Sequence, residues 1–212
     1  SMDSKGRRII LAGDKGGVVT AMLAETGESL WKTKVGRGGV VAGINFGLAA
    51  YDGKVFVPIS DVPDGRVYDE PARPGVYALN VDNGEYVWRA PAGKDVCNGR
   101  PGCNPGYSAA ISVTEDYVLA GSNEGWLRAF DINNGQVLWE FDTTDAFTAV
   151  DGRTARGGSI GGGQAPLVVG DRLILNSGYA FAGKMPGNAL LVLRLPPNQA
   201  QVAQKSTERV AK

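Results

Sequence analysis

Histidine is absent from all 212 residues. Its absence rules out a histidine-based catalytic triad, a histidine-ligated zinc and a Cys-x-x-Cys-His haem attachment on this chain. No apolar run approaches the roughly 18 residues of a membrane-spanning helix, and no secretory leader is legible; residues 1–6 read as a tag remnant or flexible start. Lysine plus arginine and aspartate plus glutamate both number 22. A net charge of zero gives no reason to expect nucleic acid or an anionic membrane as a partner. Helix-period stretches are scarce, and there are only two cysteines.

What the chain does have is glycine, 31 residues of it, and 43% hydrophobic residues. That is enough apolar material for a core and points to a turn-rich all-β fold. One phrase recurs. Residues Ala129 to Trp139 read as an apolar run, an Asn-Asn-Gly turn and a second run closing on Trp. Ala21 to Trp31 and Ala78 to Trp88 repeat it, with Ala, Gly and Trp at identical offsets: Gly27 and Trp31, Gly84 and Trp88, Gly135 and Trp139. Asn and Gly supply the positive φ of a tight hairpin turn. The tryptophans fall 57 and 51 positions apart (88 − 31 and 139 − 88). A repeat of that period in an all-β chain predicts a β-propeller of four-stranded antiparallel blades.

The expected organisation is a propeller region over 7–195, with blades near 7–36, 38–93, 107–147 and 164–195, then a polar tail over 196–212. About four blades are present, the last without its outer strand. Residues 40–50 and 109–113 are expected as inner strands. An open array leaves blade faces and strand edges uncovered, so a partial propeller, completed by further blades or by self-association, is the expected assembly. Two excursions interrupt the blades. Ser60 to Pro74 is rich in proline and acid, and its Asp61, Asp64 and Asp69 match no calcium-loop spacing, so it reads as a solvated loop on the outside of the array. Asp142 to Gly163 carries the Gly-rich run 157–163, which suits either close backbone approach to an anion or loop geometry alone. Cys97 and Cys103 flank Asn-Gly-Arg-Pro-Gly, a turn able to bring the sulfurs together. A local disulfide is preferred over two free thiols, and two thiolates alone are too few for a metal.

The Ala-x-x-x-x-x-Gly-x-x-x-Trp phrase resembles the tryptophan-docking repeat of quinoprotein dehydrogenases, propeller enzymes that bind pyrroloquinoline quinone (PQQ). Three further segments resemble the polyvinyl-alcohol dehydrogenase branch: Leu11 to Gly17, Cys97 to Cys103, and Gly157 to Ile160 together with Asn176 to Tyr179 and Met185 to Asn188. The likeness covers nearly the whole chain and corresponds to the C-terminal half of the family's propeller. It departs at the docking-repeat aspartate: Asp131 is matched by Asn80 and Leu23 in the other copies.

The resemblance implies an eight-bladed ring with the quinone near its axis, calcium beside it, and an acidic base and calcium ligands ahead of the segment matched by Lys15. It implies a periplasmic or secreted location and a small or polymeric alcohol as substrate. It assigns Lys15 to the quinone oxygens, where a cation stabilises developing negative charge, though Lys15 also reads as an ordinary solvated turn lysine. Asn45 is assigned as a hydrogen-bonding partner and Phe46 as an apolar wall, the alternative for Phe46 being a core aromatic. The expected function is thus a quinoprotein alcohol dehydrogenase-like propeller fragment, inactive alone. A non-catalytic propeller scaffold that binds a protein or polysaccharide is the alternative.

Overall fold

The computed structural model describes residues 1–194, so the expected polar tail lies outside the described residues. Strands β1 (Ile9–Gly13), β2 (Val18–Leu23) and β3 (Ser29–Lys34) form a three-stranded antiparallel meander. A four-stranded sheet follows from β4 (Ala49–Tyr51), β5 (Lys54–Ile59), β6 (Gly75–Asn80) and β7 (Tyr86–Pro91). A second is built from β8 (Ser112–Val113), β9 (Tyr117–Gly121), β10 (Trp126–Asp131) and β11 (Val137–Asp142). After a hairpin of β12 (Ala146–Thr148) and β13 (Thr154–Arg156), strands β14 (Leu167–Val169), β15 (Arg172–Ser177) and β16 (Ala189–Arg194) make the fourth blade.

The cores lie between blades. Ile9 and Val19 of blade 1 pack on Val55, Val57 and Leu79 of blade 2. The other face of blade 2 brings Phe56, Val76 and Trp88 onto Val118, Phe130 and Ile132 of blade 3. Leu119, Leu127 and Ala129 then meet Leu173, Leu175 and Leu191 of blade 4. Strand β5 is sandwiched between two neighbours, which is why its sequence Val-Phe-Val-Pro-Ile is apolar without alternation. Strand β16 alternates because only one of its faces is covered: Ala189 and Leu191 are buried, while Leu190 and Val192 are exposed.

Each recurring phrase is a hairpin with one geometry. Ala21 faces Trp31, Ala78 faces Trp88 and Ala129 faces Trp139, and each pair is followed by a β-bulge. Gly27, Gly84 and Gly135 all have φ 73. Each donates its N–H at 2.9 Å to the last residue of the preceding strand: Leu23, Asn80 and Asp131.

Several expectations need correction. Of 40–50 only Ala49–Tyr51 is strand, and of 109–113 only Ser112–Val113. The missing ladder bonds are spent elsewhere: Gly43 donates to the Asp61 side chain, Ile44 to the Asp14 carbonyl and Ala110 to the Gly162 carbonyl. The excursion over 142–163 contains the β12–β13 hairpin. Residues 1–6 are not a loose start. Met2 pairs with Arg8, and buried Asp3 accepts from Arg7 Nε at 2.7 Å. Among the described residues no helix is long and apolar enough to cross a membrane.

Candidate functional site

In an antiparallel meander, alternate connections fall at opposite ends of the sheet. One end of this array carries only tight turns: Asp52-Gly53, Gly170-Asp171 and the three Gly-Trp hairpins. Every long segment gathers at the other end. There Lys15, Asp61, the cysteine loop, the Gly-rich run and residues 178–188 meet.

Lys15 sits in the β1–β2 turn, closed by a bond from Gly17 N–H to the Asp14 carbonyl. Segment 38–45 lies over this turn. Its approach depends on Gly43 (φ 65), where a Cβ would collide with the Lys15 carbonyl. The exposed Lys15 side chain runs along that segment and donates from Nζ to the Val40 carbonyl and to Asn45 Oδ1, both at 3.0 Å. Two of the three residues expected at the cofactor therefore touch. The third, Phe46, is 43% exposed and so is not a core aromatic. Its ring meets Tyr179 of the β15–β16 loop edge-on, with centroids 5.9 Å apart. Tyr179 in turn lies 5.9 Å from Lys184 Nζ. Blades 1 and 4 thus face each other across this mouth.

Asp61 is the largest departure from expectation. It is 1% exposed, not solvated on the outside of the array. Its carboxyl group accepts four backbone N–H donors: Arg37 at 2.6 Å, Gly38 at 3.1 Å, Gly43 at 3.0 Å and Arg73 at 2.9 Å. It is the post around which the Lys15-covering segment is wound. Further along the same loop, Asp64 accepts from the Tyr68 hydroxyl at 2.7 Å, and that bond holds its carboxyl below the ordinary aspartate range. Asp69 joins neither arrangement. Among the described residues, no group of three or more His, Cys, Asp or Glu side chains is placed to hold a metal.

Cys97 and Cys103 are disulfide-bonded, with Cα atoms 5.5 Å apart. Gly102 of this loop presses on the backbone of Gly183 and Lys184, where a Cβ would not fit. The Gly-rich run is structural in its first half. Gly158 N–H donates to Ser177 Oγ at 2.9 Å, and Ser177 Oγ lies 2.7 Å from Thr143 Oγ1. Gly161 passes beneath the Tyr179 ring, where a side chain would collide.

Sequence reasoning did not single out Lys184, which adjoins the noted Met185 to Asn188 segment. It is 7% exposed, and among the described residues its amine donates only to the Phe181 carbonyl at 3.5 Å. Burial lowers its pKa from the ordinary lysine value, and the charge of Lys15 lowers it further. A second unforeseen cluster is Arg128, which donates to Glu124 and Glu140 at 3.1 Å and to the Tyr107 hydroxyl at 2.8 Å. Burial pushes Tyr107 up to about 12. The only signal for this cluster was the Glu124–Arg128 spacing beside Trp126, which lines the same groove of about 490 Å³ between blades 2 and 3. Trp31, Trp88 and Trp139 all lie on the outer hairpins, away from the mouth.

Residues 3–184 match the family model described as outer membrane protein assembly factor BamB. The chain is 38% identical over 187 residues to a polyvinylalcohol dehydrogenase of Pseudomonas sp, covering 87% of this chain and 28% of that protein. A second polyvinylalcohol dehydrogenase, from Sphingopyxis sp. (strain 113P3), is 36% identical over 180 residues, 82% of this chain and 27% of the relative. The chain therefore spans less than a third of the length of these curated relatives. The crystal structure of BamB from Moraxella catarrhalis superposes with a TM-score of 0.56 at 20% identity, over 92% of this chain and 51% of that one, a likeness of fold.

Proposed function

We propose, from the premise that this chain belongs to the PQQ-repeat propeller family and is polyvinyl-alcohol-dehydrogenase-like within it, that it forms the Lys15-bearing side of a quinoprotein alcohol dehydrogenase site. The complete propeller would oxidise secondary alcohols of a polymer; the chain as it stands would not turn over. The observation that carries this reading is the Lys15–Asn45 contact beside Phe46 at the loop-bearing mouth.

The residues present fit an anionic quinone. Lys15 offers a cation with two of its donors fixed, Asn45 and Val40 hold that cation in place, and the rings of Phe46 and Tyr179 provide an apolar wall. Bound there, such a quinone would accept the two electrons of alcohol oxidation. Lys15 would stabilise negative charge on the oxygen it faces, and the rings would exclude water. The acids described here do not fit a calcium site. Asp61 spends its lone pairs on backbone donors, and no acidic cluster stands near Lys15. No step through calcium follows from this chain. The exposed Leu190 and Val192 stripe on blade 4 supports completion of the propeller by further blades or a second copy. The disulfide supports an oxidising compartment, the periplasm or outside the cell.

The lack of a metal-holding cluster among the described residues also leaves room for the alternative, a scaffold that binds a protein or polysaccharide. Titration with quinone and calcium, with a dye acceptor and a secondary alcohol present, separates the two. The expected result is quinone binding weakened by Lys15→Ala, without alcohol-dependent dye reduction. Dye reduction lost in Lys15→Ala would show that this chain suffices for turnover. No quinone binding at all would leave the scaffold.

A further inference from the structure

Among the described residues, buried charges are matched with one exception. Asp3 is paired with Arg7, Glu124 with Arg128, and Asp61 is saturated by backbone donors. Lys184, 7% exposed, is also buried, yet it has no acidic partner among the described residues. Its three donors share one contact at the outer limit of a hydrogen bond. The charge that acts on it is that of another cation, Lys15. Burying an ammonium beside a like charge is unfavourable twice over, by lost hydration and by repulsion. A bound anion would relieve both costs.

The geometry places the two lysines on opposite sides of one aromatic-walled mouth. Lys15 is tied through Asn45 to Phe46, Phe46 meets Tyr179, and Tyr179 lies against Lys184. The disulfide loop backs Lys184 through Gly102, and Gly161 lets Tyr179 lie close to the backbone. The Lys184 backbone is thus packed against the disulfide loop.

We propose that Lys15 and Lys184 together form a two-point site for a flat ligand with at least two separated acid groups, Lys184 binding one against the Tyr179 ring and Lys15 the other. The inference rests on the quinone reading for the location of the ligand, but it assigns a second cation and a charge requirement that the reading does not contain.

Isothermal titration of the chain with two probes tests it: pyrroloquinoline quinone, and benzene-1,3,5-tricarboxylate as a redox-inert planar polyacid. Both are expected to bind. Lys184→Met should weaken each about 10- to 100-fold, the range for loss of one charged contact, and Lys184→Arg should retain most of the affinity. Lys94→Met, in the groove between blades 2 and 3, should change nothing. Because the methionine relieves an unpaired buried charge, the melting temperature of Lys184→Met should hold or rise while binding falls. A residue that merely supports the fold would move both downward together. In unsubstituted protein carrying [13Cε]lysine, the Lys184 resonance should move on adding the tricarboxylate, a readout independent of whether any variant folds. A stationary resonance, or equal affinity in Lys184→Met, overturns the proposal. If the tricarboxylate binds through Lys184 but the quinone does not, the two-cation site stands and the quinone reading fails. If the quinone binds through Lys15 alone, the quinone reading stands and the two-cation site fails.

Discussion

The two ends of the blade array solve the same problem, terminating strands without orphaned backbone groups, by opposite means. At the hairpin end one device is repeated. A glycine at φ 73 closes the turn, and the tryptophan four residues later reaches forward to the next blade. Trp31 Nε1 donates to the Val81 carbonyl at 2.8 Å and lies over Gly84; Trp88 Nε1 donates to the Ile132 carbonyl at 3.0 Å and lies over Gly135. At the loop end nothing repeats. Asp61 and Ser177 gather backbone groups, and the Asn123 side chain joins those of Asn104 and Ser108, each in an arrangement used once. Periodic physics builds the frame, and unique polar anchors shape the face where a ligand would sit.

Among the described residues the repeat is also incomplete. Trp139 is 40% exposed and stacks on Phe141 of its own strand, with centroids 6.0 Å apart. The sharpest test of the hairpin device is therefore a pair of substitutions. Trp88→Ala should cost about 3–5 kcal/mol, as for other buried aromatic truncations. Trp139→Ala should cost about 1 kcal/mol or less, as expected of a half-exposed side chain. Denaturant unfolding reads both, and equal losses would mean that Trp139 docks after all.

The loop end should respond to Asp61 as strongly as the frame responds to a core residue. Asp61→Ala leaves four backbone donors without their acceptor, and is expected to cost about 2–4 kcal/mol in the same unfolding assay. It should also loosen segment 38–45, so that hydrogen exchange at Gly38 and Gly43 accelerates selectively. If exchange there is unchanged, Asp61 is not the anchor and the contrast between the ends weakens.

The smallest effects separate glycines of identical backbone. Gly84→Ala carries the strain of a left-handed alanine and a Cβ 2.5 Å from the Trp31 ring; Gly27→Ala carries only the strain, with nothing within 4 Å. Gly84→Ala should cost about 2 kcal/mol and Gly27→Ala about 1 kcal/mol. Melting curves of equal displacement would show that the ring contact adds nothing.

The same division decided what could be read from the sequence. The blades were legible because the hairpin device is periodic and local: Ala, Gly and Trp at fixed offsets encode partner, turn and bulge together. The fourth blade was legible only as a partial one without its outer strand, and Lys15 and Asn45 from their resemblance to known segments. The loop end was not legible in detail. Asp61 sits among Asp64, Asp69 and Glu70 in a stretch whose composition signals solvent, and nothing local distinguishes the one carboxyl that folds inward. Its four donors come from residues 12 to 24 positions away. Lys184 was hidden for a related reason, since its burial is made by Gly102 and Tyr179 rather than by neighbours in sequence.

One feature of the hairpin end has a directional consequence. Each docked tryptophan leaves its own blade and lands on the following one, and the open space around Gly27 shows that no described residue lands on the first. Order is therefore passed along the array asymmetrically, like a row of tiles in which each overlaps the next. Losing blade 2 removes the seat of Trp31, whereas losing blade 1 leaves the seat of Trp88 intact. In an array of nearest-neighbour units, the two docked tryptophans tie blades 1, 2 and 3 together, and the seam between blades 3 and 4, where Trp139 stays half-exposed, is expected to open first.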